Sequence, residues 1–98
     1  MSAGGERGNT VAERKIEVIN KFGLHARPAA MLSQRASKFK SEITLHKDNI
    51  EANAKSILSV MMLAAEVGSF ITVKAEGEDA EEAVEALAKL FEEKFGEE

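Results

Sequence analysis

The sequence has no cysteine among its 98 residues. This absence excludes disulfides, thiolate zinc sites, iron–sulfur clusters and cysteine nucleophiles. Long apolar runs are also missing, because the longest (residues 57–65) is interrupted by Ser59 and falls far short of the ~20 residues of a membrane helix. Basic residues are outnumbered, 13 against 17 acidic residues, which argues against direct nucleic-acid binding. We therefore expect neither membrane insertion nor a nucleic-acid partner.

The length of the chain predicts one domain, since single cores usually span roughly 100–150 residues. Such a domain buries only ~60–65% of its unfolded surface, so we expect the chemistry to lie at the surface. Residues 1–10 hold three of the seven glycines and little apolar surface. They predict a disordered tail before a single domain at 11–98. The tail lacks the basic and apolar segments of a signal peptide, so we expect a cytoplasmic protein.

Hydrophobic periodicity predicts the element order β-α-β-β-α-β-α. Each predicted strand has one polar face, so helices should cover only the other face. The predicted fold class is therefore α+β, an open-faced β-sandwich. The first helix is predicted at about residues 26–37, and Ile50 and Ala52 are predicted on the inner face of the third strand.

The last helix begins with an acidic segment at residues 76–85. Asp79 is predicted as its N-cap, with Glu82 completing a capping box three residues later. The acidic residues suit a solvated helix start and have no calcium-loop spacing, so no metal site is expected.

The segment Gly-Leu-His-Ala-Arg-Pro at residues 23–28 is a candidate anion site. Pro28 is typical of a first helical turn, which places His25 near the N-cap. The free N–H groups of that turn, from Ala26 onward, favour a bound anion and keep the imidazole neutral and nucleophilic. Arg27 lies close enough to bind a phosphoryl group on His25. The alternative is a histidine that caps a helix beside an ordinary surface arginine.

The second predicted helix, from Ser56 to about Ala64, is apolar nearly all round. Some of Ile57, Leu58 and Met61 should therefore be exposed and available to a protein partner, unless the helix is simply more buried than its length suggests. Ser56 is an ordinary N-cap serine on sequence alone, although a phosphate there would suit the helix dipole.

The segment at residues 23–30, Gly-Leu-His-Ala-Arg-Pro-Ala-Ala, resembles the HPr family, the histidine-containing phosphocarriers of the bacterial phosphoenolpyruvate:sugar phosphotransferase system. The resemblance extends without gaps from about residue 11 to residue 92. It includes a second signature at residues 53–58, Asn-Ala-Lys-Ser-Ile-Leu. The implied fold has a four-stranded antiparallel sheet with three helices on one face. The implied protein is a monomeric carrier without a cofactor, not a stand-alone enzyme.

The resemblance also implies roles for particular residues. His25 matches the histidine that takes phosphate from enzyme I and passes it to sugar-specific IIA components, and Arg27 matches the arginine that steadies the phosphate. Ser56 matches the serine that an HPr kinase/phosphorylase modifies. The family's partner-docking surface falls on three residues of the second helix: Ile57, Leu58 and Met61.

Three positions depart from the family pattern: Phe22, Ser59 and Ala64. Phe22 replaces a small polar residue, and the other two stand where glycine is common, so partner choice is open. Three alternative functions also stay open. They are a regulatory carrier of the nitrogen-related branch, a binding module that acts through phosphorylated Ser56, and a ferredoxin-like ligand-binding domain.

Overall fold

The computed structural model describes residues 10–97. Its elements are β1 (Val11–Glu17), α1 (Ala26–Ala36), β2 (Glu42–Lys47), β3 (Ile50–Asn53), α2 (Ile57–Met62), β4 (Phe70–Glu76) and α3 (Ala80–Glu92), followed by a 3-10 turn at Lys94–Gly96. The four strands form one antiparallel sheet in the order β1-β4-β2-β3. The predicted order of elements is confirmed, with the first helix ending one residue early.

The alternation of side chains along β4 explains why the sheet is covered on one face only. Ile71, Val73 and Ala75 are fully buried, whereas the intervening Thr72 and Lys74 keep part of their surface in solvent. The buried face packs against α3, whose apolar stripe includes Leu87 and Phe91. The open-faced α+β sandwich predicted from the sequence is confirmed.

A two-residue turn joins β2 to β3. Lys47 pairs with Ile50, which leaves Asp48 and Asn49 as the turn, and Asp48 has a positive φ of 55°. Ala52 faces the core as predicted. The prediction for Ile50 is only partly right: it lies on the same face, but at the end of an edge strand, where 44% of it stays exposed.

The predicted capping box of α3 is wrong. Asp79 occupies the N-cap position, but its side chain makes no capping hydrogen bond. Its carboxylate instead accepts hydrogen bonds from the backbone N–H groups of Lys40 and Ser41, both at 2.9 Å, and from the Ser41 hydroxyl. The Ser41 hydroxyl and then the Lys40 N–H lower the pKa of Asp79 to about 2. Asp79 therefore ties the α1–β2 loop to the start of α3.

The predicted tail of residues 1–10 lies outside the described residues except for Thr10. The Thr10 carbonyl accepts a hydrogen bond from the Gly77 N–H at 2.9 Å. Within residues 10–97 no helix is long and apolar enough to cross a bilayer. The same residues contain no cluster of potential metal ligands.

Candidate functional site

A tight loop between β1 and α1 positions His25. Gly23 has a φ of +67°, and a Cβ atom there would collide with the Ala65 carbonyl oxygen, so only glycine fits. The next residue, Leu24, is buried and donates its N–H to that same carbonyl at 3.0 Å. This anchor fixes the start of α1 against the loop that follows α2.

His25 is the N-cap residue of α1, as predicted. Its backbone is extended and its carbonyl accepts the first helical hydrogen bond, from the Ala29 N–H at 3.0 Å. The imidazole forms no capping bond, so the N–H groups of Ala26 and Arg27 at the positive end of the helix are left for another acceptor. Pro28 lies in the first turn, where a missing N–H costs little. The start of α1 therefore lies beside the imidazole without a side-chain cap.

Glu97, near the end of the chain, contacts the imidazole. Its Oε2 lies 2.7 Å from His25 Nε2, and its Oε1 accepts a hydrogen bond from Asn20 Nδ2 at 3.2 Å. Burial raises the pKa of Glu97. The hydrogen bonds from Asn20 and His25 outweigh this effect, and with the added charge of Arg27 they lower the pKa below its ordinary value. Glu97 is therefore an ionised acceptor at neutral pH.

The Glu97 contact distinguishes the two ring nitrogens of His25. A carboxylate can only accept hydrogen bonds, so Nε2 carries the proton. In the neutral imidazole, Nδ1 then holds the free lone pair and is the nucleophilic atom. The ring also meets Phe22 edge-on, at 6.1 Å between centroids. It lines a surface pocket of about 650 Å³ together with Lys21, Arg27 and Glu97. Two cationic side chains, Lys21 and Arg27, therefore line the same pocket as the imidazole.

Ser56 begins α2 in the way its sequence predicts. Its side-chain oxygen accepts a hydrogen bond from the Ser59 N–H at 3.2 Å, which makes it the N-cap. The residue is only partly buried.

The outer face of α2 is apolar and exposed, as predicted. The exposed fractions are 42% for Ile57, 69% for Leu58 and 39% for Met61. Sequence reasoning missed Met62, which is 72% exposed, although it belongs to the same apolar run. Phe22, beside His25, is 70% exposed. Because Leu24 bonds to the loop after α2, the histidine and the apolar helix lie in adjoining parts of the structure.

Comparison with known proteins gives one consistent result. A family model described as the PTS HPr component phosphorylation site matches residues 12–93. The phosphocarrier protein HPr of Xylella fastidiosa is 51% identical over 85 residues, covering 87% of this chain and 96% of that protein. The HPr-like protein Crh of Bacillus subtilis is 46% identical, covering 85% and 98%. A crystal structure of HPr from Thermoanaerobacter tengcongensis has a TM-score of 0.85 and 54% identity, covering 89% and 98%.

By fold and sequence, the protein is a phosphocarrier of the phosphotransferase system. It belongs to the HPr family, and its four-stranded antiparallel sheet with three helices matches the solved HPr structures. The alternative of a ferredoxin-like ligand-binding domain is left without support. Glu97 and Asn20 were missed as site residues. Nothing in their local sequence indicates that they meet His25, since they approach it only through the fold.

Proposed function

We propose that the protein accepts a phosphoryl group on His25 from phosphoenolpyruvate-charged enzyme I and passes it to IIA components for sugar uptake. The observation that best supports this proposal is the position of His25 at the start of α1. Its ring makes no capping bond, and the adjacent N–H groups are free to bind an anion. In this proposal the protein is a cytoplasmic monomer. A dimer of HPr from Thermoanaerobacter tengcongensis has been solved, so sedimentation at the assay concentration is part of the test.

Two cationic side chains and the positive end of a helix favour a phosphoryl group at His25, and the Glu97 carboxylate lies against Nε2 of the ring. Arg27 and Lys21 line the pocket beside His25, and the positive end of α1 adds fixed partial charge. A phosphoryl group on the ring would form charge-assisted hydrogen bonds with Arg27, which are about twice as strong as neutral ones. An exposed site also suits a carrier, because the same histidine must enter the active sites of several partners.

Labelling with phosphoenolpyruvate and enzyme I tests the proposal. We expect one acid-labile phosphate in the wild-type protein and none in His25→Ala. The matched control is His46→Ala, because His46 is the only other histidine. It lies on the open face of the sheet, where Nε2 is 2.9 Å from Thr44 Oγ1. An unlabelled wild-type protein, or a labelled His25→Ala variant, would refute the proposal.

We further propose that an HPr kinase/phosphorylase modifies Ser56 and slows transfer through His25. A phosphate at this N-cap would be stabilised by the dipole of α2, and it would place about two negative charges beside the apolar docking helix. Ser56→Asp keeps an acceptor for the Ser59 N–H, so we expect little change in stability. We expect it to slow transfer at least tenfold, which corresponds to about 1.4 kcal/mol in the barrier. Asn49→Asp in the β2–β3 turn adds the same charge elsewhere, and equal rates in the two variants would reject the regulatory role.

Partner docking is assigned in this proposal to three exposed residues of α2: Ile57, Leu58 and Met61. A carrier of the nitrogen-related branch would use the same surface. The Lys-Ser-Ile signature around Ser56 favours the sugar branch or kinase regulation. Transfer rates to a sugar-type and a nitrogen-type IIA protein distinguish the branches, and a faster rate to the nitrogen type would overturn the sugar assignment.

The second candidate is a regulatory binding module that acts through phosphorylated Ser56. The observation that favours it is the similarity to proteins named HPr-like protein Crh, at 46% and 49% identity. The presence of His25 argues against it as the sole role, because some HPr-like proteins lack the active histidine. A wild-type chain that is phosphorylated on Ser56 but never on His25 would favour this candidate.

A further inference from the structure

Asn20, Glu97 and His25 form a continuous hydrogen-bonded chain. Asn20 is buried, and its Nδ2 donates to the Gly23 carbonyl at 2.7 Å and to Glu97 Oε1 at 3.2 Å. The other carboxylate oxygen of Glu97, Oε2, is hydrogen-bonded to His25 Nε2 at 2.7 Å. Only 16% of the Glu97 side chain is exposed, so the contact is more restrained than an ordinary surface ion pair.

The last turn of the chain holds Glu97 in place. Phe95 is buried and packs edge-on against Phe91, at 5.0 Å between ring centroids. The Gly96 N–H then donates to the Glu93 carbonyl, and the Glu97 N–H donates to the Lys94 carbonyl, both at 2.9 Å. Glu97 therefore reaches the histidine from an anchored segment, 72 residues away in sequence.

We propose that Glu97 is a positioning residue for His25: it holds the proton on Nε2 and so presents Nδ1 to the incoming phosphoryl group. This inference rests on the proposed phosphorylation of His25. A carboxylate that orients an imidazole and fixes its tautomer plays the same part beside a catalytic histidine in the serine proteases. Here Asn20 fixes the carboxylate in turn.

The transfer step balances without an additional acid or base. The Nδ1 lone pair forms a bond to phosphorus, and the bond from phosphorus to the donor atom of enzyme I breaks, its electron pair remaining on that atom. The proton stays on Nε2, so the ring becomes positively charged as the new bond forms. Glu97 stabilises this charge through the existing hydrogen bond. It favours the transition state over the neutral ground state, which is the condition for a rate effect.

The test compares Glu97→Gln with wild type. The amide can present either its oxygen or its nitrogen to Nε2, so it removes both the charge and the preference for one tautomer. We expect the ¹⁵N shifts of the neutral imidazole to move from the Nε2–H form toward a mixture. We also expect phosphorylation by enzyme I to slow about tenfold, the size of effect seen when a group that orients a metal-binding histidine is removed. Glu93→Gln makes the same charge change on an exposed residue and is the matched control.

The outcomes separate this inference from the proposed function. An unlabelled wild-type protein refutes the function itself. A labelled wild type with an equally fast Glu97→Gln variant and unchanged ¹⁵N shifts refutes the role of Glu97 alone. A faster Glu97→Gln variant also refutes it, because Glu97 would then shield the histidine. Glu97→Ala, checked for folding by circular dichroism, should slow transfer at least as much as Glu97→Gln.

Discussion

Replacing Ala64 by glycine should stabilise the protein. Ala64 follows α2 with a φ of 51°, and its side chain is exposed. An L-residue in this left-handed conformation costs roughly 1–2 kcal/mol. Glycine removes that strain, but it loses about 0.4–1 kcal/mol more conformational entropy on folding than alanine. The net expectation is a gain of about 0.5–1 kcal/mol in the free energy of unfolding, or roughly 2–8 °C in Tm for a domain of this size.

Urea unfolding followed by circular dichroism measures this change. The midpoint should rise while the slope stays constant, because no buried surface is added or removed. The control is Ala86→Gly in the middle of α3. Glycine should destabilise that regular helix by about 1 kcal/mol. If Ala64→Gly destabilises the protein like Ala86→Gly, the strain assigned to Ala64 is not there.

Two further predictions concern pH and docking. The pKa of Asp79 is lowered to about 2 by the Ser41 hydroxyl and by backbone N–H groups. Its stabilising contribution is therefore complete above about pH 4 and lost as the pH falls through 2. Wild type and Asp79→Asn should differ in unfolding free energy by a constant amount above pH 4 and converge toward pH 2; a constant difference down to pH 2 would contradict the assignment. Leu58→Ser should raise the KM for enzyme I about tenfold and change stability by less than about 0.5 kcal/mol. The control, Ile50→Ser, should leave the KM unchanged. Equal KM values for Leu58→Ser and Ile50→Ser would contradict docking through α2.

Features that depend on neighbouring residues could be predicted from the sequence. The cap at Ser56 is an interaction over three residues, and the turn at Asp48 follows from local backbone preference. His25 could be placed at the start of α1 because Pro28 indicates where a helix begins. The exposed face of α2 could be predicted because the helix is apolar nearly all round, and a single buried face cannot hold all of its apolar side chains.

Features that depend on distant residues could not be predicted in this way. The residues Asp79 and Glu82 have capping-box spacing, yet the Asp79 carboxylate binds Ser41, 38 residues away. A tertiary hydrogen bond forms in place of the local one. The periodicity of the sequence does not show which of these two partners the Asp79 carboxylate will bind. The contact between Glu97 and His25 is of the same kind, because the two residues are 72 positions apart in the sequence.

The open face of the sheet has a practical consequence for single-molecule work. Helices cover one face only, and the histidine and the apolar helix belong to that side. The chain has no native thiol, so a Glu13→Cys substitution on the open face of β1 would create a single attachment point. A fluorophore there would label the protein without covering the side that carries the histidine and the apolar helix. The same attachment would allow the protein to be tethered to a surface with the face that carries His25 turned outward.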